Sequence, residues 1–441
     1  MHATQVFARF ATQFSQRPLS DEVLHHAKRA VIDWYASLFP GLATTPVRLL
    51  EDALAEDLDH GRARLAQGRS ATARAAALIN GTAAHAAEVD DSFRDAMYHP
   101  GAATIAAALA AAHDSGASGL QFLRGVVLGY EVSTRIGVVM GRPHYEFWHS
   151  TGTVGTFGAA AAAGGLLALD ESAFAHALAT AATFAAGLQQ AFRLDAMGKP
   201  LHAGRAAEAG LLAAQLARRG LTGSLDVLDG EAGFGRAMSN APDWSHVGAT
   251  LGSDFHITRL TFKNHIGCGH TFAAIDGALE LQRLHGLPAS DIARVHVATY
   301  KPALDIACHE RPTTADEAKF SLRYVVASAL VHGSVRLAAY EPARLGDRAT
   351  RALMERMTVA VDPELDAAFP GQRAARVEIR TLDGRRLTHL QPNRKGDPEQ
   401  PLSDAELDSK LIELASPVIG TDATRALLAR IWTLDTSESL P

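Results

Sequence analysis

Residues 149–169 read HSTGTVGTFGAAAAAGGLLAL, and this stretch decides the fold. The run is apolar on every side, carries Gly152, Gly155 and Gly158 along one flank, and opens on a histidine followed by Ser150 and Thr151. A helix that is apolar all round is buried on all sides. Bare positions three residues apart let neighbouring helix backbones approach closely. The apolar part, 156–169, is shorter than the roughly 20 residues a bilayer demands. The glycines make no phosphate loop, because no strand precedes them and no Lys-Ser/Thr follows. The stretch reads as a core helix inside a large helical body.

Outward from it, the pattern from residue 20 to about 245 is helical almost without interruption. Ser20 is an N-cap with Asp21 and Glu22 in the first turn, and Val23, Leu24, Ala27, Ala30, Val31 and Trp34 recur at helical spacing before Pro40-Gly41 stops the run. Similar spacing predicts helices over 71–87, 102–115, 119–140, 152–168, 172–191 and 203–219, with no alternating strand between them. After about residue 262 the character changes. Segments 293–299, 357–361, 375–380 and 386–391 alternate like strands, with Asp383-Gly384 as a hairpin turn between the last two. Helices over 271–285, 317–332 and 348–356 lie among them, so this part reads as α+β. From 402 the chain returns to helix, with a capping box at Ser403–Glu406 and an apolar stripe of Leu407, Leu411 and Leu414.

Composition bounds the function. A chain of 441 residues, 47% hydrophobic and 20% charged, folds and has room for two domains. A net charge of -6 with no lysine/arginine run gives no footprint for nucleic acid. The first residues, MHATQVFARFATQFSQ, lack the apolar core of a signal peptide, and no membrane span is expected. Two cysteines, Cys268 and Cys308, support neither a disulfide framework nor a four-cysteine cluster, so a cytoplasmic protein is expected.

The chain holds 20 histidines, many beside glycine, serine or proline at element ends, where side chains reach a cleft. Five segments concentrate ionisable groups: Glu88-Val-Asp90-Asp91-Ser92 with Tyr98-His99-Pro100-Gly101, Trp148-His149-Ser150-Thr151-Gly152, Lys199-Pro-Leu-His202-Ala-Gly204, Lys263-Asn-His265-Ile-Gly-Cys268-Gly-His270, and Phe320-Ser321-Leu-Arg-Tyr324. No H-E-x-x-H is present, and the Lys263 charge opposes a cation beside His265, Cys268 and His270, so no metal is expected. There is no G-x-S-x-G elbow and no strand–G-x-G-x-x-G–helix unit. Acid–base chemistry supported by cations remains. Moving a proton next to a carboxylate builds negative charge on an anion, and Lys199, Lys263 and His270 are suited to offset it. His99 and His149, at helix starts, are suited as proton carriers, and Glu88, Asp90 and Asp91 can orient a histidine or cap a helix.

Taken together and in this order, the segments resemble the MmgE/PrpD family. Asn80-Gly-Thr-Ala-Ala-His85-Ala-Ala-Glu88-Val-Asp90-Asp91-Ser92 is similar to its N-G-x-x-x-H-x-x-D-F-D-D-T, and His99-Pro100-Gly101 follows. His149-Ser150-Thr151-Gly152 is similar to its H-S-T-G, Lys199-Pro-Leu-His202-Ala-Gly204 to its K-x-x-H-x-G, Phe320-Ser321-Leu-Arg-Tyr324 to its F-S-x-x-Y, and Lys395-Gly-Asp-Pro398 to its K-G-D-P. The resemblance covers nearly the whole chain. It implies a mainly α fold in which a large helical domain from 1–264 and 400–441 carries an inserted α+β lid domain at 265–399. It also implies a homodimer that works without a bound cofactor on a small di- or tricarboxylic acid. The implied catalytic residues are Glu88, Ser92, His99, His149, Lys199 and Lys263, with Asp91, His202, His265, Cys268, His270 and Tyr324 binding substrate. Two departures stand out: Glu88 replaces the first aspartate of D-F-D-D, and the loop after Lys263 is two residues shorter than the family's K-P-Y-P-x-C-x-x-T-H, with an additional histidine. The implied activity is that of a lyase, of hydro-lyase type. A dicarboxylate epimerase or isomerase is the alternative, and a non-catalytic ligand-binding scaffold is the reading from a different class.

Overall fold

The computed structural model describes residues 1–192, 196–240, 242–369 and 371–441. The chain is mainly α-helical and divides into two compact units, Met1–Phe262 with Ser403–Pro441, and Lys263–Leu402.

The first unit holds α1 (Ala3–Gln16), α2 (Asp21–Leu42), α3 (Thr45–Ala53), α4 (Ala73–Ala86), α5 (Pro100–Ser115), α6 (Gly119–Phe147), α7 (Ser150–Leu166), α8 (Glu171–Phe184) and α9 (Lys199–Ala217), joined by the terminal helices Asp404–Ile419 and Thr421–Trp432. The middle of the core is α7, whose residues Ser150 to Gly164 are all buried against α5, α6, α8 and α9. Its small residues are there for close packing. A Cβ at Gly155 would lie 3.1 Å from the Ala103 Cβ, and one at Gly158 would lie 2.5 Å from Thr104 Oγ1.

Ser20 caps α2 as the sequence indicates, its hydroxyl accepting the Val23 N–H. Pro40-Gly41 does not stop that helix, which runs on to Leu42. Gly41 serves a close approach instead, since a Cβ there would lie 1.9 Å from the Ala83 carbonyl of α4. Three further helical expectations are corrected. A two-stranded hairpin, β1 (Leu58–Arg64) with β2 (Ser70–Ala71), interrupts the helices; only Leu58 and Ala63 of β1 are buried, so it leaves no alternating pattern to read. Helix α8 ends at Phe184, short of residue 191. Beyond Ala217 the chain runs through turns with one short helix, Phe234–Met238, rather than continuing helical to 245.

The C-terminal helix starts with the expected Ser403–Glu406 capping box and buries Leu407, Leu411 and Leu414. It also buries Lys410, whose ammonium lies 2.6 Å from Asp33 Oδ1 on α2 and 2.8 Å from the Val89 carbonyl. Removing one partner of such a buried pair costs about 3–5 kcal/mol. Two ends of the chain are thereby tied beside the 88–92 segment.

In the second unit a four-stranded sheet runs in the order β4 (Met357–Val361), β3 (Ile292–Thr299), β5 (Ala375–Thr381), β6 (Arg386–Gln391). Strands β3 and β4 are parallel, and the other two pairings are antiparallel. Gly384 takes φ +87° in the β5–β6 turn, the left-handed conformation such a turn needs. Helix Phe272–His285 covers β5 and β6. The single helix expected over 317–332 is two, Ala315–Lys319 and Leu322–His332, because Ser321 caps the second by accepting the Tyr324 N–H. Among the described residues no helix is long and apolar enough to cross a membrane.

Candidate active site

Three helices of the first unit begin at residues singled out by their chemistry. His99 is the N-cap residue of α5, His149 that of α7, and Lys199 is the first residue of α9. Pro100 and Pro200 sit in the opening turns of α5 and α9, where a fixed φ suits a helix start and no hydrogen bond is lost. Glu88 follows the end of α4 with φ +59°, a left-handed position that turns the chain into the 88–92 segment. Helix starts carry partial positive charge, so they favour anions such as carboxylates.

The His99 imidazole is held by its Nδ1, 2.7 Å from the Asp91 carbonyl oxygen. A carbonyl only accepts, so Nδ1 carries the hydrogen and proton transfer falls to Nε2. The Asp91 carboxyl is fixed in turn: Oδ1 accepts the Gly101 N–H at 3.0 Å and Oδ2 accepts the Tyr130 hydroxyl at 2.7 Å. Burial, and then the Asp33 carboxylate, push Asp91 up to about 8. Gly101 has to be glycine here, because a Cβ would lie 2.7 Å from the Tyr130 hydroxyl and 2.9 Å from Asp91 Oδ1.

His149 Nδ1 lies 3.0 Å from His202 Nδ1, one ring donating and the other accepting. Burial, followed by His85 and Lys199, holds His149 well below the ordinary imidazole range, and the same three causes lower His202. Both rings are therefore neutral near pH 7. The Lys199 ammonium pairs with Glu88 Oε1. Burial works against that ammonium, but the Glu88 carboxylate outweighs it, and the Lys199 pKa is raised. Ser92 is half-buried and pairs by main chain with Thr261, each N–H donating to the other's carbonyl at 2.9 Å.

Sequence reasoning did not single out His85, Tyr130, Asp33 or Lys410 for this site. Buried His85 places Nδ1 2.7 Å from Asp90 Oδ2, and the same oxygen lies 3.5 Å from His99 Nδ1. The only signal for His85 was its place in the N-G-x-x-x-H motif. One donor atom each from His85, Asp90 and His99 all lie within 4.8 Å of one another. The imidazole nitrogens nearest Asp90 are the two Nδ1 atoms, and each donates its hydrogen to an oxygen, His85 to the Asp90 carboxylate and His99 to the Asp91 carbonyl, so neither presents a ligand lone pair there. The three fit a hydrogen-bonded network better than a ligand set.

The remaining singled-out residues lie in the second unit. Lys263 is its first residue and is half-buried. His265 Nε2 lies 2.8 Å from Asp276 Oδ1, both buried. His270 Nδ1 lies 2.8 Å from the Tyr300 hydroxyl, and burial, then Arg373 and Arg394, push its pKa down to about 4. Burial pushes the Cys268 thiol up, which keeps it protonated and unsuited to nucleophilic attack. The buried Tyr324 hydroxyl donates to the Ala339 carbonyl.

The chain matches the sequence profile of the MmgE/PrpD N-terminal domain over residues 5–247 and that of the C-terminal domain over 265–435. It is 29% identical over 472 residues to the cis-aconitate decarboxylase-like protein oryM of Aspergillus oryzae, covering 99% of this chain and 95% of that protein. It is 26% identical over 449 residues to the cis-aconitate decarboxylase of Homo sapiens, covering 99% and 92%. Against the cis-aconitate decarboxylase of Mus musculus it is 27% identical over 383 residues, covering 82% and 76%. With both domain profiles matched across most of its length, the chain belongs to the MmgE/PrpD family.

Proposed function

We propose that the chain is a cofactor-independent lyase that moves a proton at the carbon next to a carboxylate of a small di- or tricarboxylic acid, with cis-aconitate as the first substrate to try. One observation carries the reading: two fixed imidazoles and a carboxylate-paired lysine stand at the starts of α5, α7 and α9 in a single unit. The names of the relatives favour loss of carbon dioxide over loss of water.

With cis-aconitate the step balances simply. The trianion takes up one proton at an alkene carbon and the bond to the departing carboxyl breaks. That electron pair becomes the new double bond, leaving carbon dioxide and a five-carbon dianion. Lys199 and the positive helix starts hold carboxylates whose charge would otherwise oppose the reaction. His99 Nε2 delivers the proton, and the neutral His149 is the second proton-handling group.

The test is to incubate the purified chain with cis-aconitate, citrate and 2-methylcitrate, trap carbon dioxide and identify products by NMR. Carbon dioxide with a five-carbon dicarboxylate supports the reading. Water loss or gain without carbon dioxide would turn it into a hydro-lyase. Inversion at the alpha carbon with neither would make it an epimerase.

A further inference from the structure

We propose that His85 and Asp90 form a buried positioning pair, with Asp90 backing the His99 imidazole electrostatically and His85 holding Asp90 and both proton-handling rings in place. His85 lies inside α4 at 0% exposure, with Nδ1 2.7 Å from Asp90 Oδ2. Its ring is stacked against that of His149, centroids 5.4 Å apart at 29°, and tilted against that of His99, 5.1 Å apart at 57°. One imidazole thus touches both rings at the helix starts, while one carboxylate oxygen faces two Nδ1 atoms, 2.7 Å and 3.5 Å away. The donation from His85 Nδ1 to Asp90 leaves Nε2 as the ring's other polar atom.

That nitrogen is buried with no hydrogen-bond partner among the described residues. A buried polar atom left so costs about 1–3 kcal/mol, and a phenyl or leucyl side chain would fill the same space without that cost. Packing alone therefore does not explain a histidine here. Its link to Asp90 does, because the groups facing His99 include the Asp90 carboxylate, the Asp91 carbonyl, His85 from α4 and His149 from α7. With Asp91 pushed up to about 8, Asp90 is the carboxylate among these placed to balance a proton arriving on His99. Neither residue is assigned contact with substrate, so both act through His99 and His149.

The kinetic arm of the test rests on the function proposed above, whereas the spectroscopic arm needs no substrate. In imidazole NMR titrations, with the His99 signals identified by their loss in His99→Gln, Asp90→Asn should lower the His99 midpoint by about one pH unit. In kinetics, Asp90→Asn and His85→Phe should lower kcat on the order of 100-fold with KM within about threefold. His85→Asn, whose amide can keep the donation to Asp90, should recover most of that loss. An unmoved His99 midpoint in Asp90→Asn would overturn the proposal. So would equal losses of kcat and KM in His85→Asn and His85→Phe. If the wild type turns over none of the acids, the proposed function fails and the His99 titration still decides this inference.

Discussion

Two buried His–Asp pairs, one in each unit, have the same chemistry at nearly the same distance: 2.7 Å between His85 and Asp90, and 2.8 Å between His265 and Asp276. Their surroundings set them apart. The His265 ring meets Phe272 edge-on, 5.4 Å away at 73°, and the second Asp276 oxygen accepts the Lys395 N–H at 2.7 Å. That pair ties the 263–270 loop to helix Phe272–His285 and to the 395–398 turn. The His85 ring lies against two other imidazoles at helix starts. A histidine–carboxylate pair is therefore no signature of catalysis by itself; what the ring touches decides whether it ties a loop or serves proton transfer.

The sharpest way to break this contrast is Asp276→Ala, which strands one partner of a buried pair. It should cost about 3–5 kcal/mol of folding stability in denaturant titrations, while kcat of the folded protein stays within about threefold. A large loss of kcat at unchanged stability would put the second pair in the chemistry as well. Lys199→Ala should do the reverse, lowering kcat by about 10²–10³, or about 3–4 kcal/mol of transition-state stabilisation, with little change in the melting temperature. An unchanged kcat would remove Lys199 from the site.

Gly101→Ala drives a methyl group into the Asp91–Tyr130 contact that holds His99, so it should cost about 1–3 kcal/mol of stability and reduce kcat at the same time. Acid gives a further test. Burial pushes His144 down to about 4 and His256 to about 3, from 6.5. Below pH 6.5 these two groups therefore bind more protons in the unfolded chain than in the folded one, and each removes about 1.4 kcal/mol per pH unit until its folded value is reached. The first unit carries both, and His113 at about 4 besides, whereas the second carries His270 at about 4, so hydrogen exchange at pH 5 should loosen the helices of the first more than the sheet of the second. Equal opening of both would contradict that ordering.

What was legible in the sequence had a local cause. Ser20, the Ser403–Glu406 box and Asp383-Gly384 mark their elements through contacts a few residues apart, and the structure places each where the pattern did. His99, His149 and Lys199 were legible because proline, glycine and hydroxyl residues beside them mark helix starts. What stayed hidden depends on distant partners. Lys410 meets Asp33 across most of the chain, and Gly41 answers to Ala83 on another helix. His85 sits in the last turn of alanine-rich α4, where period says only that it is buried. Strand β1 had no apolar alternation to betray it.

Turnover of cis-aconitate in deuterium oxide shows whether the first unit moves a proton next to a carboxylate. NMR of the product should show deuterium on a carbon adjacent to a carboxylate, with the reaction abolished in His99→Gln. Product formed without deuterium at that carbon, or undiminished turnover by His99→Gln, would contradict the account.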